Sequence, residues 1–182
     1  ALKGGKTAVG ARATAAHTAS NPHKGVDYEG IFKRAGVIEV QSLTDMINCS
    51  QFYTQGLRLL GNKIGIISIS GGAGVLLSDQ LEANGLSVTG FSDQLCLEMG
   101  PLLPSFTTVQ NPVDLTAALV ARPQMLLETS QQLVDSTEFD AVVIFMGLLD
   151  SVAQQLTDAL LQLENNPACP VLLIWMGGNK AL

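Results

Sequence analysis

Two groups of residues in this chain could do chemistry. The first is His17, within Ala-Thr-Ala-Ala-His-Thr-Ala-Ser at residues 13–20. An imidazole can attack a phosphoryl group near neutral pH, because a reference pKa of about 6.5 leaves most molecules unprotonated. The small neighbours suit a loop that brings the ring close to another surface, although a surface histidine in a flexible segment would read the same way. The second group is Ser70, Gly71, Gly72, Ala73 and Gly74, directly after the apolar run that begins at Lys63. An apolar strand passing through glycines into a helix leaves the first helical N–H groups free to meet an anion, and the helix dipole adds roughly half a positive charge there. No Gly-Lys-Ser/Thr follows, and the spacing is not Gly-x-Gly-x-x-Gly, so a nucleotide-hydrolysing or NAD-binding loop is disfavoured. The glycines could equally serve close packing of helix on strand. His23, between Pro22 and Lys24, reads as a turn residue.

The elements that must position these residues follow from periodicity. Ile31, Phe32 and Ala35 can share a helix face that Gly36 ends, and Val37–Val40 reads as a short strand. Ser42 starts another helix with a Ser-x-x-Asp spacing to Asp45, and Met46, Ile47 and Phe52 supply its apolar stripe before Gly56. The stretch Gly56–Asn62 is the expected boundary. Beyond it, apolar strands alternate with amphipathic helices: the strand from Lys63, a helix over Ala73–Asn84, the run Leu86–Ser92, a helix near Pro123–Ser136, a buried strand over Asp140–Met146, a helix over Ser151–Leu163 and a last strand from Cys169. This alternation predicts a parallel sheet with helices on both faces, preceded by a small α/β segment. The glycine turn, Gly147 and Gly177–Gly178 would then share the carboxyl edge of the sheet, where open α/β proteins place ligands.

Composition bounds the function. The chain has 182 residues, 47% of them hydrophobic and 14% charged, enough to bury a sizeable core. No apolar run approaches the ~20 residues of a membrane span. A net charge of −6 argues against nucleic-acid binding. Residues 1–24 are nonetheless basic, with Lys3, Lys6, Arg12 and Lys24 and no acid, which suits a loop near phosphate or a solvated segment. Cys49, Cys96 and Cys169 are odd in number and widely spaced, the pattern of reduced, buried thiols in the cytoplasm rather than of a disulfide framework or a metal site. With no initial Met and no secretory core, the chain reads as a fragment or a processed subunit.

Four stretches together change the weighting: AAHTAS, GVDYEGIFKRAGVIEV, GNKIGIISISGGAGV and NPVDLT. They resemble the NDP-forming acyl-CoA synthetases, relatives of succinyl-CoA synthetase, over nearly the whole chain. The resemblance implies a phosphohistidine-loop segment at residues 1–58, the tail of a preceding synthetase-like domain, and a flavodoxin-like succinyl-CoA ligase domain at 59–182. It makes His17 the candidate phosphohistidine. Ser70, Gly71, Gly72, Ala73 and Gly74 would hold its oxygens from a helix N-terminus.

The implied enzyme is an acid–CoA ligase that interconverts acyl-CoA, phosphate and NDP with acid, CoA and NTP, through an acyl phosphate and the phosphohistidine. It implies partner CoA-binding and ATP-grasp domains or subunits. These would bind CoA, ATP or ADP and Mg²⁺, with no metal or tightly bound cofactor on this chain. Phosphate and a small acyl group are the expected ligands, with no nucleic acid or membrane. Asn111-Pro112-Val113-Asp114 reads as structural, with Asn before Pro favouring an extended turn and Asp114 capping nearby N–H groups. Ala19 stands where the family often has Gly, so positive φ there would be strained. The other reading is a non-catalytic ligand-sensing or interaction module, as in protein acyltransferases. A flavin carrier is weak, because Trp175 with Tyr28 or Tyr53 makes no obvious isoalloxazine sandwich.

Overall fold

In a computed structural model the chain divides into two units, Ala1–Leu57 and Arg58–Leu182. The structure describes residues 1–18, 26–56, 58–147, 149–163 and 166–177. Gly178, His23 and Ala19, with the backbone strain expected at Ala19, lie outside them.

The described residues of the first unit form three helices, α1 (Ala8–Thr18), α2 (Tyr28–Arg34) and α3 (Leu43–Thr54). Their ends follow local chemistry. Asp27 caps α2 by accepting from the Gly30 N–H at 2.9 Å, and the chain leaves the helix through Gly36 at φ +64°. Ser42 caps α3 by accepting from the Asp45 N–H at 3.0 Å, the contact its spacing predicts, and Gly56 at φ +70° follows that helix. The strand expected at Val37–Val40 shrinks to a single parallel bridge between Val40 and Leu2, with the Val40 N–H on the Ala1 carbonyl at 2.8 Å. A ladder needs a partner of matching length, and only the first two residues run alongside. Val40 is the one buried apolar side chain among the unit's described residues.

The second unit is built on four parallel strands, β1 (Ile64–Ser68), β2 (Val113–Asp114), β3 (Ala141–Met146) and β4 (Val171–Trp175), in the order β2-β1-β3-β4. Helices α4 (Gly71–Ala83), α5 (Asp93–Met99), α6 (Ala118–Ala121), α7 (Gln124–Asp135) and α8 (Ala153–Leu161) connect them. Alternation along β1 and β3 decides which side chains face which layer. Ile64, Ile66, Ala141 and Val143 meet Leu77 and Leu81 of α4 on one face. Ile67, Val142, Ile144 and Met146 join Leu95, Met99, Leu119, Met125, Leu126, Leu133 and Leu156 from the other helices on the opposite face, the larger core. The architecture is the α/β parallel sheet covered on both faces that the alternation predicts. None of the described helices is long and apolar enough to cross a membrane.

One strand is not where the apolar pattern put it. Leu86–Ser92 forms only an isolated bridge, Ser87 with Lys63, and the neighbour of β1 is the short β2 instead. The reason is the Asn111 side chain. Its Oδ1 accepts from the Ile66 N–H at 2.9 Å, and its Nδ2 donates to the Ile64 carbonyl at 2.8 Å and the Thr89 carbonyl at 2.9 Å. An amide matches a peptide group in donor and acceptor, so Asn111 fills the position of a strand partner on β1. The Asn111–Pro112 peptide is cis.

Candidate functional site

The strand order makes a switch point at the end of β1: the chain first adds β2 on one side and then crosses to β3 on the other. Crevices at such points hold ligands in open α/β sheets. Helix α4 starts here. Ser70 is its N-cap at φ −144° and ψ 118°, and its hydroxyl makes no capping bond. The Ser70 N–H is instead taken by Ser68 Oγ at 3.0 Å, and that hydroxyl donates back to the Ser70 carbonyl at 2.7 Å. Ser68 is buried, so this reciprocal pair fixes the entry to the helix. The Gly74 N–H closes the first helical bond to the Ser70 carbonyl at 3.0 Å. The N–H groups of Gly71, Gly72 and Ala73 therefore have no intrahelical acceptor and form the free donor set.

A cleft of about 400 Å³ opens onto this helix start, lined by Ser70, Gly71, Gly74, Thr107, Thr108, Gln110, Asp114 and Thr116, with the exposed ring of Phe106 at its side. The glycines divide between the two readings of the turn. None of the three has positive φ. A Cβ on Gly74 would stand 3.2 Å from Pro112 Cβ, so Gly74 serves close packing. A Cβ on Gly71 would stand 3.2 Å from Asp114 Oδ2, whereas at Gly72 its nearest neighbour is Ser70 Oγ at 3.9 Å, an ordinary contact. Asp114 caps as its sequence context suggests, its Oδ1 accepting from the Thr116 N–H at 2.9 Å. Thr116 adopts φ +55°, an outlier for a β-branched residue, and its Oγ1 accepts from the Ala118 N–H at 3.2 Å. Sequence reasoning missed Thr107, Thr108, Gln110 and Thr116 as cleft residues. Only the paired turn residues Asn111 and Asp114 signalled a constrained loop nearby.

His17 belongs to the first unit, exposed in the last turn of α1 rather than in a loop. Alanine is the best helix former, and Ala11, Ala13, Ala15 and Ala16 carry the helix through to the histidine. The basic segment is engaged within its own unit. Lys6 pairs with Glu39 at 3.0 Å and donates to Gln41 at 3.3 Å, and the Lys3 ammonium lies 4.3 Å from the Tyr28 ring centroid. Among the described residues no three His, Cys, Asp or Glu side chains cluster to hold a metal ion. All three cysteines are free, but only Cys169 is fully buried. Burial, with a smaller contribution from the Asp140 charge, pushes the Cys169 thiol up to about 11.

Two family models match the chain: a succinyl-CoA ligase-like flavodoxin domain over residues 1–53 and a ligase-CoA domain over residues 64–136. The alpha subunit of ADP-forming acetate–CoA ligase II from Pyrococcus furiosus is 31% identical across 98% of this chain. The chain is similar along nearly its whole length to the NDP-forming acyl-CoA synthetases. A second relative, ADP-forming acetate–CoA ligase I from Archaeoglobus fulgidus, is 28% identical, again over 98% of the chain. The dinucleotide-forming acetyl-coenzyme A synthetase 1 of Ca. Korarchaeum cryptofilum, solved in complex with phosphate and ADP, superposes with a TM-score of 0.78 over 94% of the chain at 25% identity. The chain spans 39% of the Pyrococcus furiosus subunit, 25% of the Archaeoglobus fulgidus enzyme and 38% of the Korarchaeum chain. The model named for a flavodoxin domain falls on the first unit, while the four-stranded sheet and its glycine turn fall in the second.

Proposed function

We propose that the chain is the phosphoryl-relay portion of an ADP-forming acyl-CoA synthetase. The observation that carries this reading is the 31% identity to a Pyrococcus furiosus acetate–CoA ligase alpha subunit, over an alignment that covers 98% of the chain. In this reading residues 1–58 are the phosphohistidine-bearing tail of a synthetase-like domain, and residues 59–182 are the CoA-ligase domain.

The whole enzyme converts acyl-CoA and phosphate to an acyl phosphate and CoA. His17 then attacks the phosphorus of the acyl phosphate, the P–O bond to the acyl oxygen breaks, and the free acid leaves. The phosphoryl group passes from the histidine nitrogen to NDP, giving NTP and restoring the imidazole. Ser70, Gly71, Gly72, Ala73 and Gly74 serve the relay by forming the helix start that faces the phosphoryl oxygens. The free N–H groups of Gly71, Gly72 and Ala73 supply the hydrogen bonds. Fixed donors aimed at developing negative charge are worth a few kcal/mol, because they need no reorganisation during transfer. Partner CoA-binding and ATP-grasp domains or subunits bind CoA, the nucleotide and its Mg²⁺, in the cytoplasm. The described residues offer no cluster of three or more His, Cys, Asp or Glu side chains for that ion.

The test is phosphorylation of the partner-reconstituted enzyme with labelled NTP, followed by alkaline peptide mapping with His17→Asn as control. Label on the His17 peptide that disappears in the variant is the expected result. An unlabelled chain despite intact nucleotide binding would remove the relay and favour a sensing module.

A further inference from the structure

A large aromatic ring stands in solvent although the segment that carries it is fixed at both ends. Phe106 is 75% exposed. Three residues before it Leu103 is buried in the larger core, and three residues after it Val109 packs against that core. Between them the chain turns at residues 104–107. The Thr107 N–H donates to the Pro104 carbonyl at 2.9 Å, and the Thr107 hydroxyl donates to the same oxygen at 2.7 Å. Cys96 Sγ donates to the Val109 carbonyl at 3.7 Å and ties the segment to α5. The ring is thus held out by a pinned turn. It lines the cleft of about 400 Å³ together with Pro112 and with Val75, itself 61% exposed. These three side chains give the cleft an apolar part, in a space of the size that small-molecule sites occupy.

An acyl phosphate joins two unlike ends. Its phosphoryl oxygens need donors, whereas its acyl chain offers only apolar surface and is best placed against carbon. The apolar part of the cleft is the place for that second end. We infer that Phe106 is a specificity-determining residue for the acyl group, favouring small acids with apolar bulk beyond the methyl group of acetate. The inference rests on the acyl-phosphate reaction proposed above and adds a substrate class to it. A methyl group covers little of an aromatic face, while an isopropyl group covers much more and removes ring and ligand area from water together. Each added carbon that is fully buried corresponds to about 4-fold in affinity, so the two extra carbons of isobutyrate correspond to at most about 15-fold over acetate. The pinned turn matters here, because a ring already held in place loses little freedom when the acyl group packs on it.

The experiment measures kcat/KM for acetate and for isobutyrate in acyl-CoA formation by the partner-reconstituted enzyme, read as consumption of the CoA thiol. The unsubstituted enzyme is expected to favour isobutyrate. In Phe106→Ala the isobutyrate-to-acetate ratio should fall by about 5-fold or more, with most of the change in the KM for isobutyrate. Phe106→Leu stays apolar and should keep most of the preference. Phe106→Gln is polar and should lose it as alanine does, so either variant decides the matter if the other does not fold. A preference for acetate in the unsubstituted enzyme, or an unchanged ratio in both variants, would overturn the role of Phe106. So would an equal loss for the two acids, the result that a contact with a partner domain would give. All three outcomes leave the synthetase reading standing. Conversion of neither acid overturns the inference as well, and labelling of His17 by NTP then tells whether the phosphoryl relay fails with it.

Discussion

Gly74 of α4 and Pro112 are packed so closely that a Cβ on the glycine would stand 3.2 Å from the proline Cβ. This contact joins the glycine turn to the loop that carries Asn111 and Asp114. The donors at the start of α4 and the carboxylate on β2 are therefore held on one frame.

Gly74→Ala should destabilise the chain by about 1–3 kcal/mol through overpacking, despite the better helix propensity of alanine. Gly72→Ala has room for its methyl group and should be neutral or stabilising by up to about 1 kcal/mol. Urea unfolding of the two variants checks the contrast. Equal effects would mean that the turn is not packed against Pro112.

Asn111→Ala removes the partners of the Ile66 N–H and of the Ile64 and Thr89 carbonyls together. Each unsatisfied group costs about 1–3 kcal/mol when buried, so a loss of about 2–4 kcal/mol is expected at this half-buried site. Asn111→Asp keeps an acceptor for Ile66 but no donor for the two carbonyls, and should not restore stability. Thermal unfolding followed by circular dichroism reads both variants.

Ser42→Ala should cost about 1 kcal/mol by leaving the Asp45 N–H without its cap, with Ser42→Asp close to neutral. Amide exchange at Asp45 and its helical neighbours localises the effect to α3.

The Cys169 thiol gives a pH dependence with a definite sign. Its value is raised in the folded chain from 9.0 to about 11, so above pH 9 the unfolded chain loses this proton first. Folding stability from this group is complete below about pH 9 and declines as pH rises toward 11, because the folded state then binds more protons. Cys169→Ala should flatten that decline in urea unfolding measured across this window, and the native thiol should resist alkylation at pH 8.

Much of the fold was legible from contiguous residues. The continuous apolar runs of β1 and β3 and the Ser-x-x-Asp cap of α3 act over a few positions, where backbone propensity and nearest side chains decide. So do the stops at Gly36, Gly56 and Gly85, all at positive φ. The candidate residues Ser70–Gly74 were legible for the same reason, as a break between two periodic patterns. Two apolar runs misled. Val37–Val40 has little to pair with, and Leu86–Ser92 does not become the neighbour of β1, because Asn111 takes part of that edge.

His17 was read into a loop from its small neighbours, yet those alanines build a helix. By itself, then, the sequence determined the α/β class and the spans of β1, α4, α7, β3, α8 and β4, and it carried the family resemblance, since all of these follow from local periodicity and short motifs. Tertiary structure alone decided that Gly74 packs on Pro112, that Asn111 stands in for a strand, and that Asp114 faces Gly71. Each of these joins residues far apart in the chain, 45 positions in the bond from Ile66 to Asn111. No local propensity acts over such a separation, and the pairing exists only once the sheet has brought β1 and β2 side by side.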